Sequence, residues 1–347
     1  MIRAAFLLSL ALLVFPGTAH AAKRMELALQ DDAVFVDQRW MEREKALDHA
    51  DDLKTDRLRV NVIWSRVLVH GVYDFSKIDA LQASAARRGI KLQLTITGPA
   101  PASATADHKI GGNRPDPVKF GAFARAVAVH FKGRVDRYSI WNEPNLSAWL
   151  SPSKSAPKRY RSLYSAGYKW IKTVDPKAQV LFGELAPNRD GRTIAPLKFL
   201  REVACAKCAP LKADGLALHP YQLTKAPTVV SGGPDDAPIS QLSRVTKTLD
   251  QLAKRRKLAT PKGRGLDLYL TEFGYLSAGG RKQSASRRSA WLSSAFKLAR
   301  KHPRVKQLLQ YQLVDPPAHE LWHSAILDRH GRRLAPYAGL ARAAAAR

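Results

Sequence analysis

Two stretches of the 347-residue sequence deliver a glutamate from an apolar run. One reads Tyr138-Ser139-Ile140-Trp141-Asn142-Glu143-Pro144-Asn145 and the other Leu268-Tyr269-Leu270-Thr271-Glu272-Phe273-Gly274-Tyr275. Runs of this kind read as buried strands, and Pro144 cannot donate to a ladder, so the first strand must stop beside Glu143. Two carboxylates on rigid strand ends suit glycosidic cleavage, in which one protonates the leaving oxygen and the other attacks the anomeric carbon. The other residues with chemistry to offer are Cys205 and Cys208. A structural zinc needs four ligands and there is no second cysteine pair. A redox pair should open a helix after a strand, whereas this one follows a helical run. That leaves a local disulfide tying a surface loop, with a free thiol pair as the alternative.

The elements that must position the glutamates alternate along the chain. Short β-rich runs occur at 26–29, 58–63, 91–96, 137–141, 179–182, 215–218, 266–271 and 307–313, spaced about 40 residues apart, enough for a strand, two loops and a helix. Helical stretches lie between them. One follows Ser76 and stops at Gly89, Asp116-Pro117 caps and opens another that runs to Phe131, and Pro157 and Pro238 open two more, to Val174 and Lys257. Alternating strands and helices predict a parallel sheet, and eight such units predict closure into a single (β/α)8 TIM barrel. No glycine-rich nucleotide turn follows the first strand, which argues against a Rossmann fold. Glu143 and Glu272, three units apart, should then face each other across the barrel mouth, at the C-terminal strand ends where such folds place their chemistry.

Trp141-Asn142-Glu143-Pro144 and Thr271-Glu272-Phe273-Gly274 resemble the two catalytic signatures of the clan A retaining glycoside hydrolases, with families 39 and 5 nearest in flavour. The resemblance implies that Glu143 is the general acid/base and Glu272 the nucleophile, and that Asn142 binds the sugar 2-hydroxyl. It implies that Arg59, in Leu58-Arg59-Val60-Asn61, lies beneath the nucleophile, and that His219-Pro220-Tyr221 supplies the clan's His-x-Tyr. Two features depart from the pattern. The third strand ends in Thr95-Ile96-Thr97-Gly98-Pro99 without the histidine common in family 5, and the eighth, Leu309-Gln310-Tyr311-Gln312, lacks a terminal tryptophan. Trp64, Trp149 and Trp322 are the candidate sugar platforms, while Trp40, Trp170 and Trp291 sit in helical runs and are expected to pack.

Lysine and arginine number 57 against 29 acidic residues, a formal charge of +28. Residues 1–21 show the positive, apolar and small-residue order of a secretory signal peptide, and their apolar run is too short to span a bilayer. An exported, monomeric enzyme is expected, with residues 22–347 as its catalytic domain and no transmembrane segment after the leader. The export signal and the lack of any recognised nucleic-acid module argue against nucleic-acid binding. The excess charge is assigned to a solvated outer face, including Lys254-Arg255-Arg256-Lys257 and Arg287-Arg288, or to adhesion to an anionic wall or polysaccharide. The expected partner is a carbohydrate substrate, and no cofactor or metal is expected, since the sequence shows no His-x-His or comparable ligand grouping. The competing readings are a catalytically silent carbohydrate-binding barrel, a transglycosylase, and an unrelated barrel enzyme such as a lyase or metal hydrolase.

Overall fold

The structure is a computed structural model and describes residues 24–188 and 191–345; the proposed leader, residues 1–21, lies outside the described residues. Eight strands, β1 (Glu26–Gln30), β2 (Arg57–Ile63), β3 (Lys91–Thr97), β4 (Arg137–Ile140), β5 (Gln179–Leu185), β6 (Gly215–Leu218), β7 (Leu268–Leu270) and β8 (Val305–Tyr311), pair in parallel and close through β1 against β8. Each is followed by a helix of the outer ring: α1 (Arg43–Asp52), α2 (Ser76–Arg87), α3 (Pro117–Phe131), α4 (Ala156–Val174), α5 (Pro196–Val203), α6 (Leu242–Lys254), α7 (Ala285–Lys301) and α8 (Ala335–Ala345). The chain is therefore a (β/α)8 TIM barrel.

Local signals explain most boundaries. The Asp116 carboxylate accepts from the backbone N–H groups of Val118 and Lys119 at 2.7 and 3.1 Å, with Pro117 at the first helical position of α3. Pro238 opens only one 3-10 turn, Ile239–Gln241, and α6 starts at Leu242. The departure that matters for the site is in β5, which continues three residues past Phe182. Its ladder to β6 shifts register between Gly183 and Leu185, a β-bulge with φ of +114° at Gly183 and +54° at Glu184. A Cβ on Gly183 would lie 2.5 Å from the Ala217 carbonyl oxygen, so only glycine fits there. Bulges re-aim side chains next to active sites, and this one turns Glu184 into the barrel.

The barrel interior is polar in two layers. Near the strand starts, Arg137 donates to Glu26 and Gln307 at 2.6 and 2.8 Å, and Arg57 pairs with Asp136 at 2.6 Å. The upper layer, around Arg59 and Glu184, carries the site. Apolar packing lies outside the barrel, where Phe120, Phe123, Val127 and Phe131 of α3 are fully buried. Among the described residues, no helix is long and apolar enough to cross a membrane.

The basic clusters depart from expectation at two positions. Lys254, Arg255, Arg256 and Arg287 are exposed, but Lys257 is half-buried, with its Nζ donating to the Cys208 carbonyl at 3.0 Å, and Arg288 is buried. Its guanidinium donates to the carbonyls of Tyr275 and Ala325, tying together the loops after β7 and β8, and desolvation pushes its pKa down to about 10. One face of α7 packs inward, so neighbouring arginines on the helix have opposite fates.

Candidate active site

The C-terminal strand ends converge on one cluster. β4 ends at Ile140, and the following turn holds Trp141 and Glu143 at φ +65° and +38°. Positive φ at two non-glycine residues is backbone strain of a kind that collects at functional sites. The turn is anchored on both sides: the Trp141 N–H donates to the Ile96 carbonyl at 2.8 Å and the Glu143 N–H to the Glu184 carbonyl at 2.9 Å. The Trp141 ring is buried, and its Nε1 donates to the Trp149 carbonyl at 3.0 Å. Glu272 follows β7 directly, after Thr271, whose N–H extends the ladder to Leu218 at 2.9 Å.

The two glutamates meet across the mouth. One oxygen of each lies within 4.8 Å of the other, and both side chains keep a little solvent exposure. Arg59 lies directly beneath. Its NH1 donates to Glu272 Oε1 at 2.6 Å and to Gln30, NH2 to Asn142 Oδ1 at 2.7 Å, and Nε to Thr95 Oγ1 and Glu184 Oε1 at 2.9 and 3.3 Å. Burial disfavours its charge, but Glu184, Glu272 and Asp32 outweigh this, so its pKa rises. Tyr221 donates to Glu272 Oε2 at 3.1 Å, and burial foremost holds its phenol far above its ordinary pKa. Glu272 is thus gripped on both oxygens.

His219 stands between the carboxylates. Its Nδ1 is 3.0 Å from Glu143 Oε1 and 3.4 Å from Glu272 Oε2, and its Nε2 is 2.9 Å from Glu184 Oε2. Burial opposes its charge, but Glu272, Glu143 and Glu184 together push its pKa up to about 9. Glu184 is the site residue that the sequence reading missed. It is completely buried and accepts from Ser139, Thr271, Thr95, Arg59, Gln93 and His219. Burial alone would raise its pKa, yet Arg59, His219 and Ser139 bring it down to about 2. The one local signal for it was a glutamate inside an apolar strand next to a glycine.

The tryptophans divide. Trp64 is not a platform: β2 stops at Ile63, and a single helical turn, Trp64–Val67, carries the ring beneath α3. There it stacks on Phe123 at 5.4 Å and is 2% exposed. Trp149 is half-buried against the core. Trp322 reaches the site, with its ring edge-on to Tyr221 at 5.0 Å and its Nε1 donating to Ser324 at 3.0 Å. Its ring also lies 6.4 Å from that of Tyr311, so the loop after β8 folds back beside the end of that strand. Cys205 and Cys208 form a disulfide in the loop after α5, and neither takes part in the cluster.

Donor atoms of Glu143, His219 and Glu272 all lie within 4.8 Å of one another, a grouping the linear spacing did not show. A cation there would compete with Arg59, already 2.6 Å from Glu272, so the trio forms an ion-paired network rather than a free ligand set. A rim cavity of about 730 Å³ opens between the loops after β4, β5 and β6 and is lined by residues such as Arg192, Thr193 and Asp235, not by the glutamates.

No family model and no curated protein matches the sequence. Solved structures do match in fold. A family 39 glycoside hydrolase from the gut symbiont Bacteroides cellulosilyticus superposes with a TM-score of 0.68 at 18% identity, over 93% of this chain and 64% of that one. A second family 39 enzyme, from Xanthomonas axonopodis pv. citri, gives 0.63 at 18% identity over 92% and 66%. Xylanase 10B from Thermotoga maritima gives 0.60 at 13% identity over 94% and 96%. The chain thus spans about two thirds of the length of the two family 39 proteins. At these identities the likeness establishes the fold.

Proposed function

We propose that this chain is a retaining glycoside hydrolase acting on a poly- or oligosaccharide, with Glu143 as acid/base and Glu272 as nucleophile. The observation that carries the reading is the approach of the two carboxylates to within 4.8 Å at opposed strand ends. Retaining enzymes hold their carboxyl groups about 5–5.5 Å apart, whereas inverting enzymes leave roughly 6.5–9.5 Å for a water. Glu272 attacks the anomeric carbon while Glu143 gives its proton to the departing oxygen. Glu143 then takes a proton from the water that releases the sugar. Arg59 and Tyr221 aim the nucleophile, and Arg59 holds the Asn142 amide oxygen so that its NH2 group is turned to the 2-hydroxyl. Trp322, against Tyr221, covers one face of the sugar.

The test is hydrolysis of a panel of activated aryl glycosides. Glu272→Ala should abolish turnover. Glu143→Ala should retain the first step on leaving groups that need no proton and regain turnover with azide. Wild-type protein that binds these sugars without cleaving any would instead establish the silent binding barrel, and glycosyl transfer to a sugar acceptor in place of water would establish a transglycosylase.

The order of residues 1–21 supports export, as does the disulfide, which persists in oxidising compartments. The exposed basic residues of the outer helices support adhesion to an anionic polymer. Such binding should weaken steeply with salt while turnover of a small neutral glycoside holds, because exposed charges are screened beyond about 8–10 Å. Equal salt sensitivity of both would place the charge in the subsites.

A further inference from the structure

Glu184 touches neither the position of the scissile bond nor the bulk solvent, yet it is the most heavily hydrogen-bonded carboxylate in the site. Ser139 and Thr271 donate to it at 2.5 Å each, Thr95 and Arg59 at 3.3 Å, Gln93 at 3.4 Å and His219 Nε2 at 2.9 Å. A carboxylate met only by donors is held ionised, since the charged form accepts every one of those bonds. An ionised Glu184 also assigns the proton on His219: Nε2 must carry it, and Nδ1 is the nitrogen left for the glutamates.

Nδ1 sits between two acceptors, 3.0 Å from Glu143 and 3.4 Å from Glu272. The groups facing the imidazole are Glu143 from the turn after β4, Glu184 from β5, Tyr221 from the loop after β6 and Glu272 from the end of β7, with Arg59 of β2 reached through Glu184. With Glu143 carrying its proton, the charges of Arg59, an imidazolium, Glu184 and Glu272 cancel. When Glu272 forms its bond to the anomeric carbon it loses its charge, and Glu143, having given its proton to the leaving oxygen, gains one. The cluster stays neutral, but the negative charge moves from one side of Nδ1 to the other. Attack by water reverses the movement: its proton goes to Glu143, its oxygen to the anomeric carbon, and the bonding pair returns to Glu272.

The geometry points to Glu184 as a positioning residue: a buried counter-ion that keeps His219 an imidazolium, whose Nδ1–H serves Glu272 before bond formation and Glu143 after it. This rests on the glycosidase reading for its consequence, though not for its physical basis. The bulge at Gly183–Glu184 is the device that places the counter-ion, because in a regular ladder residue 184 would take the other face of the strand.

The test compares wild type with Glu184→Gln, which keeps an acceptor for Nε2–H but removes the charge. The first readout is the titration of His219 by nitrogen-15 NMR of the imidazoles. Wild-type His219 should remain an imidazolium at pH 8, and in the variant it should turn neutral at least one pH unit lower. The second is the pH profile of kcat/KM on an aryl glycoside. Where His219 turns neutral its Nδ1 has no hydrogen left to give, so the basic limb should move to lower pH by about one unit, in step with the imidazole titration. A purely structural role would lower the plateau and leave that limb in place. A His219 that is neutral at pH 7 in wild type, or a variant with unchanged titration and an unmoved basic limb, overturns the proposal. Should Glu184→Gln not fold, the wild-type titration still decides. Should wild type cleave no glycoside, the glycosidase reading fails and the NMR result alone settles the counter-ion.

Discussion

Replacing Arg59 with lysine keeps the charge and removes the fork, so it separates electrostatics from geometry. The guanidinium serves three directions at once: Nε toward Thr95 and Glu184, NH1 toward Gln30 and Glu272, and NH2 toward Asn142. One ammonium nitrogen on a flexible stem cannot reach acceptors on opposite edges of that plane. It will keep one carboxylate and release the other together with the Asn142 amide. Hydrogen bonds to charged groups contribute about 1.5–3 kcal/mol each, and partial recovery by the ammonium leaves a net loss of about 3 kcal/mol. With an unfolding entropy of about 0.7 kcal/mol/K for a chain of this length, Tm should fall by about 4 °C. If the loosened contact is the one to Glu272 or Asn142, kcat/KM should fall by about 10- to 100-fold. Differential scanning calorimetry and aryl glycoside kinetics measure the two. Arg88→Lys is the control, because Arg88 pairs with Glu44 and Asp48 at the surface, where such pairs contribute only about 0–1 kcal/mol. An Arg59→Lys protein with wild-type melting and turnover would refute the argument that the fork organises the site.

Three further outcomes follow from the same geometry. His219 has a folded pKa of about 9 against an ordinary 6.5, so its stabilisation is complete below pH 6.5 and disappears as pH rises through 9. Urea unfolding free energy should drop by about 2 kcal/mol between about pH 7.5 and 9.5, a window between Asp31, whose buried carboxyl is pushed up to about 7, and Arg288, brought down to about 10; a flat profile there would contradict the ionic cluster. Gly183→Ala should unfold in lower urea than wild type by about 1–3 kcal/mol, since its Cβ meets the Ala217 carbonyl and its φ is +114°, and equal stability would show that the bulge relaxes freely. Reduction of Cys205–Cys208 should leave kcat/KM unchanged and lower Tm only slightly, because the bridged loop is very short; a large loss of activity would mean that the bridge supports the catalytic loops.

Local pattern was enough for the barrel. Strands and helices alternate because apolar residues recur with one period and then the other, and Asp116-Pro117 caps α3 with atoms two and three residues away. The same kind of signal marks Glu143 and Glu272, since an apolar run followed by a carboxylate puts that carboxylate at a strand end whatever the rest of the chain does. A bridge between Cys205 and Cys208 is likewise a local matter. The surroundings of the glutamates are not. Arg59 meets Glu272 across 213 residues and Glu184 across 125, and nothing near Arg59 in the chain encodes either contact. Trp64 read as a sugar platform until a one-turn helix carried it under α3, and Trp322 earned its place only when its loop folded over Tyr221. Glu184 shows the physical reason most clearly. Which face of a strand a side chain takes depends on register, register depends on the neighbouring strands, and a bulge that the pairing with β6 creates at Gly183 decides that this carboxylate points into the barrel rather than out of it.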